Sequence, residues 1–241
     1  MARRAGGSGG SGSAGCVAPL RLLGAAALLL LRAASAAPKP PQPPCFNPLN
    51  PDFEALCYSV TRVAGNVTVR TVAQGVDGAL ATGMSAATDF AAGSVASATP
   101  VFLYFGSDND EFEKIPLTVP LIFRPDPAGT WLASFALPTS KYATPASAPG
   151  IIPGSDLLLE AFSPAGNATA GRSIAAYLFY TIQLATQGDY AKACASLEAA
   201  LPGLGLAPVE GAWREAWVTY STQAIVGDRI NECWVEVSEK R

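Results

Sequence analysis

Cys57-Tyr58-Ser59-Val60-Thr61-Arg62-Val63, the link Ala64-Gly65-Asn66, and Val67-Thr68-Val69-Arg70-Thr71-Val72 form the stretch on which the fold turns. Apolar and polar residues alternate on either side of a short link. That pattern predicts two antiparallel strands joined as a hairpin. Outward from it, strand-type runs recur at Leu117–Phe123, Trp131–Leu137, Leu157–Phe162, Ile174–Ile182, Trp217–Tyr220 and Glu232–Val237. Helix signals are fewer. Asp189 is a candidate N-cap for a helix over Tyr190–Leu201, with Tyr190, Cys194, Leu197 and Leu201 on one stripe and Pro202-Gly203 ending it. Thr99-Pro100 suits the first turn of a short apolar helix reaching Phe105. The Ala-rich stretch 78–98 stays open between helix and loop. Many strands with two or so helices, and no βαβ alternation, make the chain α+β.

Toward the N-terminus the pattern changes. Residues 37–51 are proline-rich and read as an extended tether without helix or internal strand. The tether is taken to residue 54, a single domain to span 55–237, and a short tail to follow at 238–241. Residues 1–36 hold Arg3, Arg4, Arg21 and Arg32 and no acid, then the apolar run 22–31, then Ala34-Ser35-Ala36. A basic start, a short apolar run and small residues before a cleavage point are the marks of a secretory signal peptide. An organelle transit peptide, such as a plastid one, is the alternative. The apolar run is too short for a stable membrane span.

With 49% hydrophobic and 15% charged residues, the chain is too apolar to stay disordered. It contains no histidine. That excludes Ser-His-Asp and Cys-His catalysis and every His-ligated zinc or haem site. The net charge is −3, and removing the leader leaves 12 cations against 19 acids. Nucleic acid is therefore not an expected partner. No phosphate-binding loop, CxxC pair or metal-ligand motif is present, so no catalytic or metal residues are assigned and the chain is not expected to be an enzyme. The acids Asp108, Asp110, Glu111 and Glu113 crowd one turn, where a solvated loop explains them better than paired carboxylate catalysis.

Without the leader four cysteines remain: Cys45, Cys57, Cys194 and Cys233. An even count in an exported chain suggests two disulfides with three possible connectivities. Cys194, on an apolar helix face, is also the best candidate for a buried free thiol. Asn66-Val67-Thr68 and Asn167-Ala168-Thr169 are N-glycosylation sequons beside turn residues.

A set of motifs goes further. Phe102-Leu103-Tyr104-Phe105-Gly106-Ser107-Asp108-Asn109 is followed by Lys114-Ile115-Pro116-Leu117-Thr118-Val119-Pro120-Leu121. Then come Ser134-Phe135-Ala136-Leu137-Pro138 with Lys141-Tyr142, Arg172-Ser173 ahead of the second helix, and Arg229-Ile230-Asn231-Glu232-Cys233-Trp234. In this order the segments resemble the signature of the SOUL haem-binding protein family, over roughly residues 55–237. The resemblance implies a distorted antiparallel β-barrel with two packed helices. It also implies that Cys45 and Cys57 correspond to the extra N-terminal cysteine pair of secreted members. The chain departs from the family at Leu117 and Val119, at Cys233, at Ile174-Ala175-Ala176, and at Arg70-Thr71-Val72, where some members carry a proposed haem-ligating histidine.

Haem or another tetrapyrrole is thus expected by resemblance alone, bound without an axial histidine. An apolar groove would hold the macrocycle and cations would meet its carboxylates. Arg62, Arg70, Lys114 and Arg172 are the cations selected, and Tyr104 is one of the tyrosines able to approach iron. Each also has an ordinary reading, as solvated strand cation or packed core tyrosine. The leading expectation is a secreted binder of a small hydrophobic ligand or tetrapyrrole. The alternative is an extracellular structural or protein-interaction module that kept the fold and lost haem.

Overall fold

The computed structural model describes residues 45–47, 50–56, 58–72, 78–162, 173–210, 214–220 and 229–240, all within the unit Pro40–Arg241. The opening hairpin forms as its alternation predicts: β3 (Tyr58–Ala64) and β4 (Val67–Val72) are antiparallel around a two-residue turn. Ahead of it lie β1 (Cys45–Asn47) and β2 (Asn50–Ala55), so the proline-rich tether does contain strands. The prolines are dense only as far as Pro44, and the alternation of Phe53-Glu54-Ala55 is too short to register in the sequence.

The remaining strands are β5 (Gly78–Met84), β6 (Thr118–Val119), β7 (Leu121–Pro125), β8 (Trp131–Ala136), β9 (Leu157–Phe162), β10 (Ser173–Thr181), β11 (Leu206–Pro208), β12 (Ala216–Thr219) and β13 (Arg229–Glu239). The large sheet runs β3-β4-β10-β13-β12-β7-β8-β5-β9, with β11 also on β13, and every pairing in it is antiparallel. Its outer strands are β3 and β9, and no pairing among the described residues joins them. A small second sheet holds β1, β2 and β6, with β2 and β6 parallel. The run expected as one strand at Leu117–Phe123 is divided at the cis bond Val119–Pro120. Pro120 has no N–H for a ladder, and on its two sides the chain pairs with different sheets. The strand expected at Glu232–Val237 extends to Glu239, into the predicted tail.

Two α-helices cover one face of the large sheet. α1 (Phe90–Phe105) is capped by Asp89, whose carboxylate accepts from the Ala92 amide at 2.9 Å. This corrects the short helix expected from Thr99: Pro100 lies inside α1, not in its first turn. Proline removes one helical N–H and normally disfavours an interior position. Here its ring rests over Gly83 of β5, where a Cβ would stand 2.8 Å from the Pro100 Cγ. Gly93 likewise leaves room for Trp131, whose Cγ would be 2.8 Å from an added Cβ. The stretch 78–98 therefore resolves into a strand, a cap and the first half of a helix.

α2 (Gln187–Ala200) begins three residues earlier than predicted. Thr186 is its N-cap, and Asp189 stands at the third helical position, its carboxylate accepting a hydrogen bond of 2.8 Å from the Thr186 amide. This reciprocal box satisfies two otherwise open N–H groups.

Period-two alternation buries both faces of the sheet. Ala175, Cys233, Val235 and Trp217 pack under the helices with Tyr190, Leu197 and Phe90, where Tyr190 and Trp217 stack at 5.1 Å. The opposite face holds Ile174, Ala176, Trp234, Val218, Ile122 and Leu80, covered by Ala55 and Leu56. Cys194 and Cys233 form a disulfide that pins α2 to β13, so the free-thiol reading of Cys194 is corrected. Both residues point into the same helix-covered core. Cys57 and the Cys45 side chain lie outside the described residues, and so does their expected pairing.

Candidate functional site

An open apolar feature starts at the end of α1. Gly106 caps the helix, and Asn109 organises the turn beyond it. The buried Asn109 amide donates to the Tyr104 and Glu113 carbonyls at 3.0 and 2.7 Å, and its oxygen accepts from the Glu113 amide at 2.9 Å. One side chain thereby closes the 106–113 turn. The Ile115 amide then bonds the Phe105 carbonyl at 2.9 Å, bringing 114–117 back alongside the helix.

Between them runs a groove of about 350 Å³ walled by Phe102, Phe105, Ile115, Pro116 and Leu117, with Lys114 at its rim. Phe102 is 43% exposed, and its ring meets Phe135 edge-on at 5.2 Å. Lys114 is exposed and has no ion-pair partner among the described residues, whereas the adjacent Glu113 is held by Lys141. A groove of this kind can take a flat apolar group on one face and an anion at one end. Volumes of roughly 300–1,000 Å³ are usual for small-ligand sites, so this groove lies near the lower end of that range.

The other selected residues are dispersed. Arg62 is exposed on β3, pairing with Glu239 at 2.7 Å and donating to the Leu204 carbonyl at 2.8 Å. Arg70 is buried on the opposite sheet face. Arg172 and Asn167 lie outside the described residues. Tyr104, beside Phe105 on α1, is 1% exposed, and its hydroxyl donates to the Pro149 carbonyl at 2.6 Å. Of the four that lie among the described residues, only Lys114 lines the groove. The walls Phe102, Phe105, Ile115 and Leu117 belong to the motif segments but were not among the expected binders. Their signal was apolar residues flanking a Gly-x-x-Asn turn.

Burial, and next the charges of Asp110 and Glu111, push the Tyr104 hydroxyl up to about 12 from an ordinary 10.0. Between those values the unfolded chain has lost this proton and the folded one keeps it. Stability is therefore expected to fall as pH rises from about 10 to about 12. Urea unfolding across that window should show a shallower decline for Tyr104→Phe than for the parent; identical slopes would refute the assignment.

A second polar cluster is closed to solvent. Arg70 on β4 and Glu232 on β13 are 5% and 0% exposed. Arg70 Nη1 donates to Glu232 Oε2 at 2.7 Å, and Nη2 contacts Oε1 as well. The Tyr220 hydroxyl and the Trp234 indole N–H also donate to Oε2, at 2.8 and 2.6 Å. The guanidinium stacks over Tyr58, 4.6 Å from the ring centre. Burial alone pulls the Arg70 pKa down. The hydrogen bond and charge of Glu232 and the neighbouring Tyr220 and Tyr58 outweigh it, and the value ends above the ordinary one. Burial and the Glu232 charge push Tyr220 up strongly. Asn231 and Glu232 stand two and three residues after Arg229 in the sequence. Asn231 does donate to the Arg229 carbonyl at 3.2 Å, but Glu232 belongs to Arg70. One strand, β10, lies between β4 and β13 in the sheet order, so no sequence spacing reveals the pair.

Among the described residues no helix is long and apolar enough to cross a membrane, and no three His, Cys, Asp or Glu side chains are grouped to hold a metal ion. Compared with family models and with curated proteins, the chain matches none.

Proposed function

We propose that this chain is an exported, non-catalytic binder of a flat apolar ligand carrying a carboxylate, of the tetrapyrrole class, on a SOUL-type fold. The large antiparallel sheet is read as the strongly curled wall of an incompletely closed barrel. The observation that carries the function is the α1 groove: aromatic and aliphatic walls with a cation at the rim that no described residue pairs. Its lining fits the macrocycle and one carboxylate of haem but supplies no side chain suited to ligating iron, so binding would rest on apolar contact and Lys114. The disulfide between Cys194 and Cys233 supports an oxidising compartment, in keeping with the leader.

The test is a titration of tag-free protein with hemin and with metal-free protoporphyrin, following tryptophan quenching. Saturable binding of both with similar affinity is expected, because iron makes no bond. Lys114→Glu should weaken both by roughly fivefold, about 1 kcal/mol. Leu117→Asp should weaken both more. Absence of saturable binding would remove the ligand reading.

One observation favours the interaction module as a second reading. Val95, Phe102 and Leu103 are 62%, 43% and 53% exposed, at helical spacing on the outer side of α1. Substituting Val95 and Leu103 by serine should leave porphyrin binding intact if the groove acts alone.

A further inference from the structure

Asn66 occupies the tip of the β3–β4 hairpin, exposed, beside Gly65. Gly65 takes φ +59° and Asn66 does not take a positive φ, the arrangement of a tight turn with glycine first. The Asn66 carbonyl accepts from the Leu178 amide at 3.0 Å, one step beyond the last β4–β10 pair, Val67 with Tyr177. The turn is thus clipped to β10, and Asn66 continues the register opposite Leu178. Alternation puts Asn66 on the same sheet face as Leu178 and Tyr180. β4 ends before reaching Tyr180, which is 58% exposed, and Ile182 just beyond is 83% exposed.

Thr68 adds an independent observation. Its hydroxyl is buried on β4 without a hydrogen-bond partner among the described residues. An orphaned buried hydroxyl costs stability, and valine would fill the same shape without that cost. The folded state gives Thr68 Oγ1 no task, whereas Asn66-Val67-Thr68 needs it to be a sequon.

We propose that Asn66 is N-glycosylated and that the first sugars lie along the Tyr180 ring. The donor class is an oligosaccharide linked to a lipid pyrophosphate. Asn66 Nδ2 bonds the anomeric carbon, the lipid pyrophosphate leaves, and the amide nitrogen gives up one proton. An apolar pyranose face against an exposed aromatic ring removes both from water. The inference rests on the export reading above, and is independent of the groove.

The test expresses the full chain in a eukaryotic secretory host and maps peptides by mass before and after enzymatic removal of N-glycans. Secreted protein should carry a glycan on the Asn66 peptide. Thr68→Val should lose it while folding at least as stably as the parent. Tyr180 should react with a tyrosine-nitrating reagent several-fold faster after enzymatic deglycosylation. Secreted chain bearing an unmodified Asn66 would overturn the proposal and leave export standing; chain retained in the cytosol without glycan would overturn both. Equal Tyr180 reactivity with and without glycan would overturn the placement.

Discussion

Replacing Arg70 with methionine is expected to lower the unfolding free energy by about 3–5 kcal/mol, because it strands the Glu232 carboxylate in a site from which water is excluded. The lost partner is not a surface charge. Glu232 accepts hydrogen bonds from Arg70 on β4, Tyr220 just after β12 and Trp234 on β13 itself. Glu232→Gln should cost a similar amount by leaving the guanidinium unpaired. Replacing both together, with methionine and leucine, should recover most of the loss, since a buried pair roughly breaks even with apolar residues of like size. Urea denaturation of the three variants provides the comparison. Single-variant losses under about 1 kcal/mol would show the cluster to be hydrated in solution.

Removing the Cys194–Cys233 disulfide by substituting both cysteines with alanine is expected to cost about 4 kcal/mol. The two residues are 39 apart in sequence, and a closed loop of that length removes substantial entropy from the unfolded chain. The link joins the middle of α2 to β13, the strand that contacts β10, β11 and β12. Losing it should therefore loosen α2 before the sheet, visible as faster amide exchange from Ala193 to Leu197. An unchanged urea midpoint after reduction would show that core packing, not the cross-link, holds the helix.

The parts of the fold legible in the sequence were those whose signals are local. Alternation around Gly65 marked the hairpin, and the runs at Trp131, Leu157 and Ile174 marked strands, because side chains two residues apart must share a face. The stripe from Tyr190 to Leu201 marked α2. Asp189 was misassigned as its cap because Thr186 and Asp189 both carry capping chemistry, and only their mutual bonds decide which stands at the start. Pro100 misled for a different reason. Its preference for a first turn is real but is overridden once its ring finds the space above Gly83.

The functional features were less legible. Lys114 and the apolar residues around it were visible as a motif, yet a groove exists only because Asn109 turns the chain back over α1. Arg70 and Tyr104 were chosen for chemistry that their surroundings have already used. One side chain is committed to Glu232, the other to the Pro149 carbonyl.

Sequence by itself determined the α+β class, the absence of imidazole chemistry and the sequon at Asn66, since each is a matter of composition or near-neighbour spacing. Tertiary structure decided that Cys194 meets Cys233, that Arg70 meets Glu232, and that the turn after α1 leaves an open groove. Those contacts join residues far apart in the chain, and they are brought together by strand order and the burial of two sheet faces, neither of which a local pattern records.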